Sequence, residues 1–254
     1  MVSSTLGAPA FLHLAAHPVR WRLLSALAAS DLRVRELVGL VGETQNLVSY
    51  HLRLLRDGGL VTATRSTLDG RDTYYHLDLD RCSEGLASSG GSLHPALRRH
   101  ADDAGALGPF PPVAVLFVCT GNTARSPIAE ALLRTATGGQ VDVASAGSHP
   151  KPRMHPGTVR VLREQFDIDI TGWHPRHLDS VAERHFDVVI TLCDKAREAC
   201  PDVADHPRRI HWSIPDPAAN GDAPAGDVFT RTATDIHRRV VHLLPVLTTE
   251  FVTR

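Results

Sequence analysis

Cysteine, net charge and long apolar runs are all scarce in this chain. Its 254 residues carry a net charge of −1, so no global field draws it to nucleic acid, and any DNA binding must come from a local patch. No apolar run approaches the roughly 18 residues of a membrane span, which argues against insertion in a bilayer. The opening Met1-Val-Ser-Ser-Thr-Leu-Gly7 has neither the charged start nor the apolar core of an export signal, so a cytoplasmic location is expected. The cysteines are Cys82, Cys119, Cys193 and Cys200, and in that compartment they are expected as reduced thiols: candidate nucleophiles or ligands rather than a disulfide framework. Apolar content of 43% suffices for sizeable cores, and the length suits one or two domains.

One stretch carries most of the chemical information. Cys119, Thr120, Gly121, Asn122, Thr123, Ala124 and Arg125, followed by Ser126, stand between the apolar run Val113–Val118 and a helical stretch beginning at Pro127. A thiol is thereby placed at the end of a buried strand, in a small-residue loop that opens a helix. Backbone N–H groups of such a loop and the helix N-terminus form an anion cradle. Residues 120–125 are the expected substrate-binding loop, and Arg125 closes it with a planar fork suited to a tetrahedral oxyanion. Ser126 is placed to donate to the Cys119 sulfur. The positive field predicts a Cys119 pKa below the ordinary thiol value. A thiolate in an anion cradle implies attack on phosphorus or an analogue of it.

Composition divides the chain. Ser83–Ser92 is rich in Gly and Ser, and Gly108–Pro112 is rich in Pro, so residues 83–112 read as a linker, with a short helix expected over 93–106. Residues 113–254 alternate strands (Val113–Val118, Val141–Ala144, Val188–Thr191, Ile210–Trp212) with helices (Ser126–Thr137, Pro156–Phe166, Leu178–Arg184, Val228–Phe251, the last kinked near Pro245). That pattern predicts an α/β domain with a four-stranded parallel sheet covered by helices, its ligand beyond the strand C-termini. Residues 1–82 read as helices followed by a hairpin, an α+β winged helix-turn-helix. Leu23, Leu24 and Leu27, then the stripe Val34, Leu37, Val38 and Val41, then Val48, Leu52 and Leu55 form its expected core. The helix from Thr44 to Asp57 turns Gln45, Asn46, Ser49, Tyr50 and Arg53 outward, and Arg65 and Arg71 lie on the wing; these types suit base edges and phosphates.

Both halves resemble known families. His17–Leu24, Val48–Leu55 and Asp57–Val61 resemble the arsenic-repressor (ArsR/SmtB) winged-helix regulators, which implies a homodimer through this domain, bound to operator DNA. In those sensors a Cys-Val-Cys binds arsenite; here Arg33-Val34-Arg35 stands in its place, and guanidiniums do not bind a soft ion. Residues 113–254 resemble the low-molecular-weight tyrosine phosphatase fold, in particular its arsenate reductase branch, through Val118–Ser126, Ala144–Gly147, Ile190–Cys193, Cys200-Pro201 and Pro215–Pro217. Asn122, Glu130 and Ser145 match three positions of that branch's potassium site, but Arg176 replaces the acidic fourth, so no potassium is expected and the Arg itself supplies the cation. The His residues show no metal-binding spacing, and neither metal nor bound cofactor is expected.

The resemblance implies the following chemistry. Cys119 attacks arsenic, Arg125 and the loop hold the oxyanion, and Asp216, in Ile214–Pro217, protonates the departing oxygen. Cys193 then attacks Cys119 and releases arsenite; Cys200 attacks Cys193 and carries the disulfide outward to thioredoxin or a low-molecular-weight thiol. A phosphatase has no use for the second and third thiols. Two alternatives stay open: a tyrosine phosphatase fused to a regulator, and a non-catalytic transcription factor that senses an oxyanion. Cys82 reads as an inert thiol.

Overall fold

The computed structural model describes residues 7–68, 70–94, 97, 109–199, 208–219, 226–249 and 251. It forms two compact units, 1–106 and 107–254.

In the first unit, α1 (Ala10–Ala15), α2 (Pro18–Ala29), β1 (Leu32–Arg33), α3 (Val34–Val41) and α4 (Gln45–Asp57) precede the hairpin β2 (Val61–Arg65) and β3 (Thr73–Leu77) and the helix α5 (Leu79–Leu93). Local chemistry sets the boundaries. His17 Nδ1 accepts from the Val19 N–H at 3.2 Å and Pro18 opens α2; Gly42, at φ 71°, ends α3; the Thr44 hydroxyl caps α4 through the Leu47 N–H at 3.4 Å. The strands pair antiparallel in the order β1-β3-β2. Leu23, Leu24, Leu27, Leu37, Val41, Val48, Leu52 and Leu55 are buried, as their spacing predicts, while Val34 and Val38 of the expected stripe are only partly buried against this core. This is the expected winged helix-turn-helix.

The expected linker is corrected here. Residues 83–92 lie within α5, which the Asp78 carboxylate caps by accepting from the Arg81 N–H at 3.0 Å. The small residues serve close packing: a Cβ on Gly85 would lie 2.4 Å from the Phe11 ring of α1. The Ser89 and Ser92 hydroxyls donate back to the helix carbonyls of Gly85 (2.7 Å) and Ser89 (2.8 Å). Phe110 already packs on the second core and donates its N–H to Gln140 Oε1 at 3.3 Å. The helix expected over 93–106 falls largely outside the described residues.

The second unit contains β4 (Ala114–Cys119), α6 (Arg125–Ala136), β5 (Asp142–Gly147), α7 (Pro156–Phe166), β6 (Val188–Thr191), α8 (Asp194–Ala199), β7 (Arg208–His211) and α9 (Gly226–Thr249). All four strands are parallel in the order β5-β4-β6-β7. β4 and β6 are central and, like the core face of α6, almost wholly buried. The helix expected over 178–184 is only a 3-10 turn, Leu178–Val181, and α9 continues through Pro245. The parallel register places Val118 beside Thr191, and the Leu192 N–H donates to the Val118 carbonyl at 2.7 Å. The chain leaving β6 therefore passes the end of β4, bringing Cys193 alongside the loop that starts at Cys119. Among the described residues no helix is long and apolar enough to cross a membrane.

Candidate active site

The loop from Cys119 to Arg125 is a cradle because its carbonyls are engaged on the outside. Those of Cys119, Thr120, Gly121 and Thr123 accept from the N–H groups of Ser148 (3.2 Å), His149 (2.9 Å), Lys151 (3.1 Å) and His155 (3.1 Å). The Thr158 hydroxyl adds a second bond to the Thr123 carbonyl at 2.9 Å. Among the described residues, no carbonyl or side chain accepts from the N–H groups of Gly121, Asn122, Thr123 or Ala124. The tight loop needs Asn122 at φ 47°, a left-handed conformation that Asn tolerates. It also needs Gly147 at the end of β5, where a Cβ would lie 2.6 Å from the Thr120 carbonyl oxygen. In the sequence Gly147 is only the last residue of Ala144–Gly147, and nothing local signals this steric role.

Asn122 is fully buried and organises the nucleophile. Its Oδ1 accepts from the Arg176 N–H at 2.7 Å, and its Nδ2 donates to Ser126 Oγ at 3.0 Å and Ser145 Oγ at 2.8 Å. Ser126 Oγ lies 2.9 Å from Cys119 Sγ. Because the Ser126 oxygen accepts from Asn122, its one proton is left to donate to the sulfur. Below this layer Glu130, 2% exposed, is held between Arg134 at 2.9 Å and Arg176. The guanidinium of Arg176 thus stands against Glu130, where the sequence places it.

Burial is the largest influence on Cys119 and pushes its thiol up, against the Arg125 charge and the Ser126 hydrogen bond, which pull it down. This corrects the expected lowering: the stabilising groups are in place, but Cys119 is buried, only 2% exposed, and a nearby Cys193 opposes ionisation further. Cys82 is also pushed up, by burial and by Asp78, in keeping with an inert thiol.

Arg125 is 5% exposed. Its Nη1 donates to the Ile214 carbonyl at 3.0 Å and its Nη2 lies 3.2 Å from Asp216 Oδ2, so the fork reaches the Pro215–Pro217 loop. Its Nε is buried with no acceptor, a donor that an oxyanion would satisfy. Asp216 is half-exposed at the site rim, and its Oδ1 also accepts from the Ala218 N–H at 3.1 Å. Cys193, 2% exposed, lies 3.3 Å from Thr120 Oγ1 through its Sγ, which also caps α8 by accepting from the Ala196 N–H at 3.4 Å. Beneath it is a buried polar group that the sequence did not announce: Asp194 Oδ1 meets His211 Nε2 at 3.1 Å and the Ser213 hydroxyl at 2.9 Å, while His211 Nδ1 meets the Thr191 hydroxyl at 2.8 Å. It ties the Cys193 turn to β7. Cys200 lies outside the described residues. Among those described, no three His, Cys, Asp or Glu side chains are grouped to hold a metal.

In the first unit Gln45, Asn46, Ser49, Tyr50 and Arg53 are all exposed on α4, with the Arg53 guanidinium 5.8 Å from the Tyr50 ring centre. Arg65 at the end of β2 and Arg71 in the hairpin loop are exposed too. Arg33 and Arg35 converge on Asp72 of that loop at 3.2 and 3.3 Å, and Arg33 also pairs with Glu36 at 3.2 Å. The place expected to lack inducer thiols is an ion-pair strut between α3 and the wing.

Both halves of the chain match known proteins. Residues 17–63 match the family described as bacterial regulatory protein, arsR family, and residues 114–253 match low molecular weight phosphotyrosine protein phosphatase. Arsenate reductase 1 of Bacillus cereus is 34% identical over 126 residues, 50% of this chain and 90% of that protein. Arsenate reductase of Halalkalibacterium halodurans is 34% identical over 128 residues, 50% of this chain and 91% of its own length. Among solved structures, an arsenate reductase from Archaeoglobus fulgidus aligns at 30% identity over 52% of this chain and 98% of that one, with a TM-score of 0.43. The chain belongs to the low molecular weight phosphotyrosine protein phosphatase family, with an arsR-family helix-turn-helix domain preceding the phosphatase fold.

Proposed function

We propose that the second unit reduces arsenate to arsenite and that the first binds operator DNA as a homodimer, the two serving arsenic detoxification in the cytoplasm. The observation that carries the enzymatic reading is the second thiol at the cradle: Cys193 Sγ lies 3.3 Å from Thr120 Oγ1, one residue beyond the nucleophile. Hydrolysis of a phosphate ester needs one thiol; a two-electron reduction needs a second within reach.

On this reading the reaction runs in four steps. Arsenate enters the ring of unspent N–H groups and takes the Arg125 Nε as a further donor. The Cys119 thiolate attacks arsenic; Asp216 gives its proton to the departing oxygen, which leaves as water, and a Cys119 sulfur–arsenic bond remains. The Cys193 thiolate attacks the Cys119 sulfur. The sulfur–sulfur bond forms, the sulfur–arsenic electron pair passes to arsenic, and arsenite departs as As(III). Cys200 attacks Cys193, Cys119 is freed, and an external dithiol of the thioredoxin class or a low-molecular-weight thiol reduces the Cys193–Cys200 bond. No bound cofactor is required.

The test is arsenite production by the full chain with thioredoxin, thioredoxin reductase and NADPH. Sustained NADPH oxidation matched by arsenite is expected. Hydrolysis of a phenolic phosphate ester, with no arsenite formed under any thiol reductant, would make the protein a phosphatase instead.

A further inference from the structure

A second cavity lies behind the cradle. Its volume is about 340 Å³, and Glu130, Arg134, Trp173, His174 and Arg176 line it. Its charge is unbalanced. Glu130 is a single buried carboxylate shared by two guanidiniums, so this trio carries a net charge of +1 before His174 is counted. The donors are also unevenly used. Arg134 spends Nη2 on Glu130 (2.9 Å) and on the Val143 carbonyl (2.7 Å), and Arg176 spends Nη2 on Glu130. Among the described residues, Nε and Nη1 of both arginines meet no acceptor, and each guanidinium offers five N–H groups. Both side chains are partly open to solvent, 50% for Arg134 and 38% for Arg176, so an incoming anion reaches them without displacing Glu130. The Arg134 guanidinium sits 5.8 Å from the Trp173 ring centre, which gives the cavity an aromatic wall.

We propose that this cavity is a second anion site, distinct from the Cys119 cradle, and that it takes a small ring-bearing oxyanion: an aromatic carboxylate or a phosphate monoester. The oxyanion bonds to the unspent donors of Arg134 and Arg176, where paired N–H groups match two oxygens of either headgroup. The ring lies against Trp173. A bare inorganic oxyanion would leave most of the volume and the aromatic wall unused. The site adjoins the catalytic layer. The Arg176 N–H bonds to Asn122, Asn122 to Ser126, and Ser126 to Cys119, so an occupant that holds Arg176 bears on the nucleophile's own hydrogen-bond chain.

Calorimetric titration of the full chain with benzoate and with phenylphosphonate tests this. At least one should bind, and which one identifies the headgroup. Arg134→Gln should weaken binding by about tenfold or more, as expected on losing a charge-assisted contact, and Trp173→Ala by about two- to tenfold, as expected on losing a stacking face. Arg125→Ala, which removes the cradle's clamp, should leave the affinity within about twofold. Should Arg134→Gln not fold, Arg134→Lys keeps the charge without the fork and is still expected to bind more weakly. Trp173 fluorescence should respond to the ligand in the parent chain. The proposal is overturned if neither probe binds, or if binding is lost in Arg125→Ala.

Discussion

Replacing Ser126 by Ala removes one oxygen and tests how the buried thiol is made reactive. Burial pushes Cys119 up, with Arg125 and Ser126 opposing it. Since Asn122 donates to Ser126 at 3.0 Å, the hydroxyl proton is committed to the sulfur 2.9 Å away. A hydrogen bond to a charged group is worth roughly 1.5–3 kcal/mol, and its loss falls on the thiolate rather than the thiol. At 1.4 kcal/mol per factor of ten, the thiolate fraction at neutral pH should fall about 10- to 100-fold. Two signs follow. Because burial raises the thiol above its ordinary value, kcat/KM of the parent enzyme should climb as pH rises from neutrality, until Cys119 ionises. In Ser126→Ala the same climb should be displaced to higher pH, so the deficit is large at pH 7 and shrinks in alkali. The assay is the pH profile of single-turnover arsenate reduction, paired with the rate of Cys119 alkylation by iodoacetamide, which reads the thiolate without arsenate. An alkaline limb that stays in place in both assays would refute the reasoning, whatever the loss at pH 7.

Other outcomes follow from the same geometry. Arg125→Lys keeps the charge but loses the fork that spans Ile214, Asp216 and the oxyanion, so arsenate reduction should drop by about 10²-fold or more, read as kcat/KM. Cys200→Ser should release about one arsenite per chain and then stall as a Cys119–Cys193 disulfide, seen by mass spectrometry; sustained thioredoxin-driven turnover would sink the relay as drawn. Gly85→Ala should lower the melting temperature of the first unit, because the added Cβ meets Phe11 at 2.4 Å and overpacking costs about 1–3 kcal/mol. Arsenite should not act at the Arg33-Val34-Arg35 position, so the full chain with Cys82, Cys119, Cys193 and Cys200 all replaced by Ser should stay on operator DNA in a mobility-shift titration with arsenite. Release by arsenite would mean that Arg33 and Arg35 had not removed the inducer site.

Much of the fold was legible because local signals and burial agreed. Central strands such as β4 and β6 are nearly all apolar, and α3 and α4 have their apolar residues at helical spacing between clear caps, Gly42 and Thr44. The cradle was legible because a thiol, small residues and an arginine follow a buried strand directly. α5 was misread because Gly and Ser serve both flexibility and close approach; Phe11, far away in sequence, decides between them at Gly85. The direction of the Cys119 shift was misread for a related reason. Arg125 and Ser126 are visible in the sequence, but the burial of Cys119 is a property of the packed unit. Likewise nothing local shows that Asp194 meets His211 and Ser213; the pairing of β6 with β7 brings them together.

The sharpest measurement is the arsenite yield of the pre-reduced chain, in a single turnover without added reductant, compared with that of Cys193→Ser. The relay predicts about one arsenite per parent chain, with an intramolecular disulfide as the other product, and essentially none from Cys193→Ser. An equal arsenite yield from both chains would show that Cys193 does not take the electrons from Cys119, and would contradict the mechanism at its central step.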